Sequence, residues 1–353
     1  MPRPGPRAQT DGHQQRPSRA ALAPSGTAPC RPPEVPVSLP LPVDPELAPW
    51  LSLLPALDVG DAAAARATVE AMAAAAPPFT LPEGVELSEH SVPGAVGTPE
   101  VPVAVFRPAG AGNALPAVLY VHGGGFILEE GDGDRALAAR WAAELGAVVV
   151  SVRYRLAPEH PYPAATDDCY AALEWLAANA AGLGVDRARI AVAGMSAGGG
   201  LTAALTLLAR DRGGPVPCFQ LLDIPELDDR LETSSMREFT DTPVWNRPNA
   251  VRSWRAYLGA DRDPAAPVPA YAAPARAENL AGLPPAYVAV SDLDPLRDEG
   301  LDYALRLVRA GVPTELHLFP GTFHGAAGFV PDTAVTRRMS EGALDALRRG
   351  LAV

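Results

Sequence analysis

The stretch Ile190-Ala-Val-Ala-Gly-Met-Ser-Ala-Gly-Gly-Gly200 constrains the fold more than any other. A short apolar run ends at Gly194-Met195-Ser196-Ala197-Gly198, and Leu201 to Arg210 then reads as a helix. G-x-S-x-G between a strand and a helix predicts a turn so tight that the serine backbone is strained and its hydroxyl stands exposed. Gly194 and Gly198 flank the serine because a β-carbon two residues to either side would collide across the turn. In a chain rich in Gly, Ala and Ser the five letters could arise by chance, so the weight rests on their context. A nucleophilic serine also needs a base, an acid and donors for an oxyanion, and the rest of the chain must supply them.

Length and composition narrow the search. With 353 residues, 48% of them hydrophobic, the chain can bury a large core as one big α/β domain with an accessory piece, or as two domains. The net charge of -12 argues against nucleic acid or an anionic membrane surface as main partner. All 29 basic residues are arginine, which excludes a lysine nucleophile, a Schiff base and a lysine-bearing phosphate loop. Cys30, Cys169 and Cys218 are scattered, no C-x-x-C occurs, and the six histidines lack H-E-x-x-H spacing. Neither a disulfide framework nor a metal site is expected. No apolar run approaches the ~20 residues of a membrane span, and the N-terminus lacks a signal-like apolar segment. These features predict a soluble cytoplasmic protein.

Residues 1–42 are rich in Pro, Arg, Gln, Ser and Gly without hydrophobic period and read as a disordered leader. Pro45 to Leu54 and Ala62 to Ala76 are helix-like and precede any strand, so they are expected to form a lid. Strand patterns then alternate with helices. Strands are expected at Val101–Phe106 (around an edge-tolerated proline), Ala117–Val121, Ala147–Val152, Ile190–Ala193, Cys218–Leu222, Ala286–Val290 and Thr314–Phe319. Helices are expected at Asp134–Leu145, Asp167–Ala180, Glu299–Ala310 and Thr333–Leu351. This is the pattern of a mostly parallel sheet covered by helices on both faces. Residues 225–262 break the alternation and carry a helix at Arg247–Leu258, read as a second piece of the lid.

In such a sheet, functional residues collect at the carboxyl ends of strands. Ser196 follows one strand, His122-Gly123-Gly124-Gly125 another, Asp294 a third and His324 a fourth. His324, in a glycine-flanked loop, is the candidate base, while His317 within a strand and His160 in a proline-rich loop read as structural. Among the carboxylates of Ser291-Asp-Leu-Asp-Pro-Leu-Arg-Asp-Glu-Gly300, Asp294 is preferred on position as the orienting acid, with Asp292 second. Asp298 and Glu299 suit the first turn of the following helix. Gly123, Gly124 and Gly125, together with the N–H of Ala197, are the candidate oxyanion donors.

These motifs taken together resemble the hormone-sensitive lipase family of bacterial esterases (bacterial family IV). The resemblance rests on His122-Gly-Gly-Gly125, Tyr154-Arg-Leu-Ala-Pro-Glu-His-Pro-Tyr-Pro-Ala-Ala165, Gly194-Met-Ser-Ala-Gly-Gly199, Asp294-Pro-Leu-Arg-Asp-Glu-Gly300 and His324-Gly325, and extends from about residue 43 to the C-terminus. It implies an α/β-hydrolase fold, with a helical cap from residues 43–80 and 225–262 on a catalytic domain of residues 81–224 and 263–353. It also implies cofactor-free hydrolysis of short- to medium-chain or small-molecule carboxylic esters by Ser196, Asp294 and His324, in a monomer or homodimer. In the family the Tyr-Arg-Leu-Ala-Pro-Glu segment is expected to brace the loop behind the elbow. Two departures bear on substrate range. Met195 stands where the family usually has Asp or Thr, and His-Gly-Phe is lengthened to His324-Gly-Ala-Ala-Gly-Phe329, expected to be a more flexible segment. Trp50, Leu51, Leu54, Trp245 and Trp254 suggest an apolar entrance. Two other readings remain open: an acyltransferase, lyase or cyclase using the same site on a specialised metabolite, and a non-catalytic receptor using the pocket to bind a ligand.

Overall fold

A computed structural model of the chain describes residues 42–352 apart from 76, 77 and 96, together with the isolated positions 2 and 5. The Pro-rich leader, with Cys30, therefore lies almost wholly outside the described residues. Eight strands form one sheet: β1 (Val85–Val92), β2 (Val101–Pro108), β3 (Leu115–Val121), β4 (Val148–Val152), β5 (Val185–Met195), β6 (Phe219–Asp223), β7 (Ala286–Leu293) and β8 (Thr314–Phe323). The first helices are α1 (Ala62–Ala75), α2 (Asp132–Leu145), α3 (Ala164–Ala178), α4 (Ala197–Arg212) and α5 (Ser234–Glu238). They are followed by α6 (Arg247–Leu258), α7 (Arg297–Arg309), α8 (Ala326–Phe329) and α9 (Ala334–Gly350).

Strand order is β1-β2-β4-β3-β5-β6-β7-β8, antiparallel at β1–β2 and β2–β4 and parallel from β4 to β8. The central strands are near-continuous apolar runs because both of their faces are covered. On one face Val103, Val105, Leu119, Val150 and Val192 meet α3 and α4, and Leu222, Val288 and Val290 meet α4 and α7. On the other, Ala104, Phe106, Val118, Tyr120 and Val149 meet α2, and Leu221, Tyr287 and Ala289 meet α9. This alternation is the two-residue period of the strands made visible.

Three expectations need correction. β1, whose eight residues include five exposed or half-exposed polar ones, carries no apolar run and was not anticipated from the pattern. Because β1 takes the sheet edge, β2 and its Pro102 are interior. Pro102 is nevertheless tolerated, because the β4 ladder covers only Val103–Phe106 and Pro102 accepts a bond from Arg153 N–H through its carbonyl. The helix expected at Pro45–Leu54 is a shorter 3₁₀ turn, Ala48–Leu53.

Winding reverses at β3. The chain crosses from β3 over α2 to β4, then returns over α3 to β5 on the opposite side of β3. A crevice outside the carboxyl ends of β3 and β5 follows from that reversal. It lies between the His122–Gly125 loop and Ser196.

Candidate active site

Ser196 sits between β5 and α4 with φ 57° and ψ -123°, a conformation that costs an L-residue roughly 1–3 kcal/mol and persists only where its surroundings enforce it. The glycines do enforce it. A β-carbon on Gly194 would lie 2.2 Å from Gly198 O and 2.5 Å from Thr202 Oγ1. One on Gly198 would lie 2.1 Å from Val121 O and 2.3 Å from His122 O. The first clash is across the turn; the second is with the end of β3, so Gly198 sets how closely the elbow approaches the glycine loop. Ser196 N–H donates to Asp223 O and its carbonyl accepts from Gly200 and Glu226 N–H, which fixes the turn to the segment after β6.

The structure brings Ser196, Asp294 and His324 together. Both β7 and β8 run on past the expected apolar cores to Leu293 and Phe323, so Asp294 and His324 follow their strands immediately. His324 Nδ1 lies 2.7 Å from Asp294 Oδ2, and His324 Nε2 lies 2.8 Å from Ser196 Oγ. A carboxylate oxygen can only accept, so the proton belongs on Nδ1 and Nε2 accepts from the serine hydroxyl. Asp294 Oδ1 accepts from Leu296 N–H at 2.9 Å, which holds the carboxylate from its other side. All three side chains are buried. Asp292 is turned elsewhere: it pairs with Arg297 and accepts from Gly321 N–H. His317 sits on β8 against Glu315, away from this group, and His160 lies in an exposed loop.

Opposite Ser196, the glycine loop is held by its carbonyls. Gly123 O accepts from His122 Nδ1 and shares the Tyr154 hydroxyl with His122 O, Gly124 O accepts from Ile127 and Leu128 N–H, and Gly125 O from the Ser253 hydroxyl. The N–H groups of Gly123, Gly124, Gly125 and Ala197 donate to no protein group among the described residues. Gly124 and Gly125 have φ of 104° and 58°, and a β-carbon on Gly125 would sit 2.5 Å from the Trp245 ring. Ala197 is also the first residue of α4, where unpaired N–H groups and the helix dipole favour negative charge. The Tyr154-Arg-Leu-Ala-Pro-Glu segment braces this loop rather than the elbow. Tyr154 stacks on His122 with centroids 4.2 Å apart, and Arg155 pairs with buried Asp168.

A cavity of about 240 Å³ opens on these groups and is lined by Leu57, Val69, Met72, Leu128, Met195, Ile224, Val244, Trp245 and Phe329. Of the five residues expected at an apolar entrance, only Trp245 lines it, its ring 5.8 Å from that of His324. Trp50 is exposed, Leu51 and Leu54 pack against the core cluster on the α2 and α9 face of the sheet, and Trp254 is buried against Phe126 and Tyr257. The lengthened segment after His324 folds into the single turn α8, placing Phe329 on the cavity wall instead of forming an open loop. Met195 packs on the wall, as an apolar side chain there must. A larger depression of about 740 Å³ contains none of Ser196, Asp294 or His324. Its charges are largely paired with one another, as in Arg66–Glu159 and Arg153–Glu130.

Two carboxyls beside the site, those of half-buried Asp223 and buried Glu226, escaped sequence reasoning. Burial pushes Asp223 up to about 6, a rise opposed by His324 and reinforced by Asp294. Burial pushes Glu226 up to about 8, opposed by its hydrogen bond with Ser253 and reinforced by Asp294. Both stand at the carboxyl end of β6, so extending the strand-end criterion to every strand would have found them. No group of three or more potential metal ligands occurs among the described residues; Cys169 is buried and Cys218 half-buried, each a free thiol.

The fold and this geometry define an α/β hydrolase. A family model described as the alpha/beta hydrolase fold matches residues 118–328. Carboxylesterase NlhH of Mycobacterium tuberculosis is 43% identical over 78% of this chain and 86% of its own length. Esterase LipI of the same organism is 44% identical over 66% of this chain and 72% of its own. Among solved structures, a bacterial heroin esterase is 50% identical, with a TM-score of 0.84 over 88% of this chain and 98% of that one. Esterase LipW from Mycobacterium marinum gives 38% and 0.79 over 88% and 97%. The chain belongs to the α/β-hydrolase fold family, in its hormone-sensitive-lipase-like branch of esterases.

Proposed function

We propose that Ser196 is the nucleophile, His324 the general base and acid, Asp294 the group that orients the imidazole, and the glycine loop with Ala197 the oxyanion hole. The chain is a serine carboxylic-ester hydrolase. The observation that carries the residue assignment is the unbroken path from Asp294 Oδ2 through His324 to Ser196 Oγ, beside N–H groups with no protein partner. In the first half-reaction Ser196 Oγ attacks the ester carbonyl carbon while its proton passes to His324 Nε2. The negative charge that develops on the carbonyl oxygen is met by preorganised N–H dipoles, which need no reorganisation when the charge appears. Asp294 stabilises the imidazolium without taking its proton. His324 then returns the proton to the departing alkoxide, and a water activated by the same imidazole cleaves the acyl-enzyme. The same-site transferase, lyase or cyclase reading is not favoured beside relatives named as esterases.

The small apolar cavity supports short- to medium-chain or small-molecule esters as substrates. The cap reading takes residues 43–80 and 225–262 as one structure over the cavity. It is supported by Asn249 on α6, which donates to Leu57 O and accepts from Val59 N–H, and by the shared burial of Val59, Ala65, Trp245 and Ala250. No helix among the described residues is long and apolar enough to cross a membrane. Free Cys169 and Cys218 suit a reducing cytoplasm, and a monomer or homodimer remains part of the proposal. Purified Ser196→Ala is expected to lose at least ~10³-fold in kcat on 4-nitrophenyl acetate and butyrate while still binding ester. Undiminished turnover would sink the mechanism.

A further inference from the structure

Glu226 is wholly buried two residues beyond the Ile224 that lines the cavity. Its Oε1 lies 3.2 Å from Ser253 Oγ, and Oε2 has no protein partner. The same Ser253 Oγ lies 3.0 Å from Gly125 O. A serine hydroxyl carries one hydrogen and cannot donate to both acceptors at full strength. If Glu226 is ionised, its charge draws that hydrogen and Gly125 O loses its donor. If Glu226 Oε1 carries a proton, it donates to Ser253 Oγ, Ser253 donates to Gly125 O, and every hydrogen in the chain is used once. Burying a neutral, hydrogen-bonded acid also costs far less than burying an unpaired charge.

We infer that Glu226 is a positioning residue that acts as a carboxylic acid, donating to Ser253 so that Ser253 holds the Gly125 carbonyl and with it the oxyanion loop. The inference rests on the loop's proposed role as oxyanion hole. Gly125 O has no other donor among the described residues, whereas Gly123 O has His122 Nδ1 and a share of the Tyr154 hydroxyl, and Gly124 O has two N–H donors. Glu226 thus secures the one glycine carbonyl that depends on a side chain of α6. Its backbone N–H is already bonded to Ser196 O, so nucleophile and oxyanion loop are referred to the same residue. Of the groups that face Glu226, the Ser253 hydroxyl on α6 opposes the rise and the acidic Asp294 after β7 reinforces it; Glu299 in the first turn of α7 is a second acidic neighbour, and α4 presents Gly200. Burial pushes Glu226 up to about 8, so its ionisation falls inside a pH range that can be assayed.

The test is steady-state hydrolysis of 4-nitrophenyl butyrate from pH 6 to 10, corrected for spontaneous hydrolysis, for wild type, Glu226→Gln, Glu226→Met and Ser253→Ala. The Gln amide can donate to Ser253 and cannot ionise. It should keep kcat within about twofold at pH 7 and should lack the alkaline decline in kcat that is expected of the wild type around pH 8. Glu226→Met and Ser253→Ala should each lower kcat about tenfold or more with KM little changed, as expected when a donor is misplaced by a fraction of an ångström. In Glu226→Gln/Ser253→Ala the loss should be no greater than in Ser253→Ala alone, since both act through one bond. Ser253→Ala is a small change that keeps the result interpretable should Glu226→Met fold poorly. An unchanged alkaline limb in Glu226→Gln, or full kcat in Ser253→Ala, overturns the inference. Failure of the esterase reading is seen separately, as turnover that persists in Ser196→Ala.

Discussion

Between Gly194 and Gly198 the backbone has no slack, whereas the wall facing it, made by Val69, Met72, Trp245 and Phe329, is held by side-chain packing. On the first side an added carbon would meet main-chain oxygen at 2.1–2.2 Å, and no rotamer relieves that. On the second, apolar groups from α1, α6's N-terminal approach and α8 meet across a cavity, and each can be exchanged for another of similar volume at modest cost. The difference separates two kinds of determinism. Backbone clashes fix the turn that carries Ser196; side-chain volumes set the shape of the cavity.

Four substitutions probe that contrast. Asp294→Asn keeps the shape but removes the acceptor that fixes the Nδ1–H tautomer, so kcat should fall by ~10²–10⁴ with little change in KM, read from a full saturation curve. A fall of less than threefold would move the acid role to another carboxylate. Gly198→Ala places a methyl group into Val121 O and His122 O and should either prevent soluble expression or cost ~10² in kcat/KM. Its control is Gly133→Ala on α2, where a β-carbon meets nothing within 4 Å and activity should be unchanged. If both variants behave alike, the turn has more slack than its geometry allows. Trp245→Leu should shift the ratio of kcat/KM for hexanoate over acetate esters about tenfold, while Ser196 still reacts with a fluorophosphonate. An unchanged ratio would place the acyl chain elsewhere in the cavity.

The smallest effect is on stability. Glu226 holds a proton in the fold up to about pH 8, whereas the unfolded carboxyl, with a pKa near 4.5, has released it. The native state therefore binds more protons between these values, and stability falls as pH rises through that window and levels above it. Glu226→Gln removes this loss, so its Tm relative to wild type should rise by a few degrees more at pH 8 than at pH 5. Parallel Tm curves at the two pH values would show that Glu226 is ionised in the fold.

How much of this was legible in the chain differs from residue to residue. The α/β class could be read because interior strands must be apolar on both faces, which leaves runs such as Val148–Val152. β1 could not, since a polar edge strand has no such signature and exists only because β2 offers it a partner. The elbow was legible because only glycine survives at 194 and 198. Ser196, Asp294 and His324 could be nominated because each follows a strand. Trp254 was misplaced because a tryptophan on α6 can face either cavity or core, and only the position of Phe126 and Tyr257 decides between them.

The sequence by itself determined the parallel strands of the sheet, the strained turn at Ser196 and the kinds of group that stand at the strand ends, because these follow from local sterics and periodicity. Tertiary structure alone decided that Phe329 and not Trp50 walls the cavity, and that Ser253 links Glu226 to Gly125; it also joined to His324 the Asp294 that position already favoured over Asp292. These pairings join residues far apart in the chain, 27 positions for Ser253 and Glu226 and 128 for Ser253 and Gly125. No local pattern encodes such a distance, and it is closed only when the strands and α6 pack.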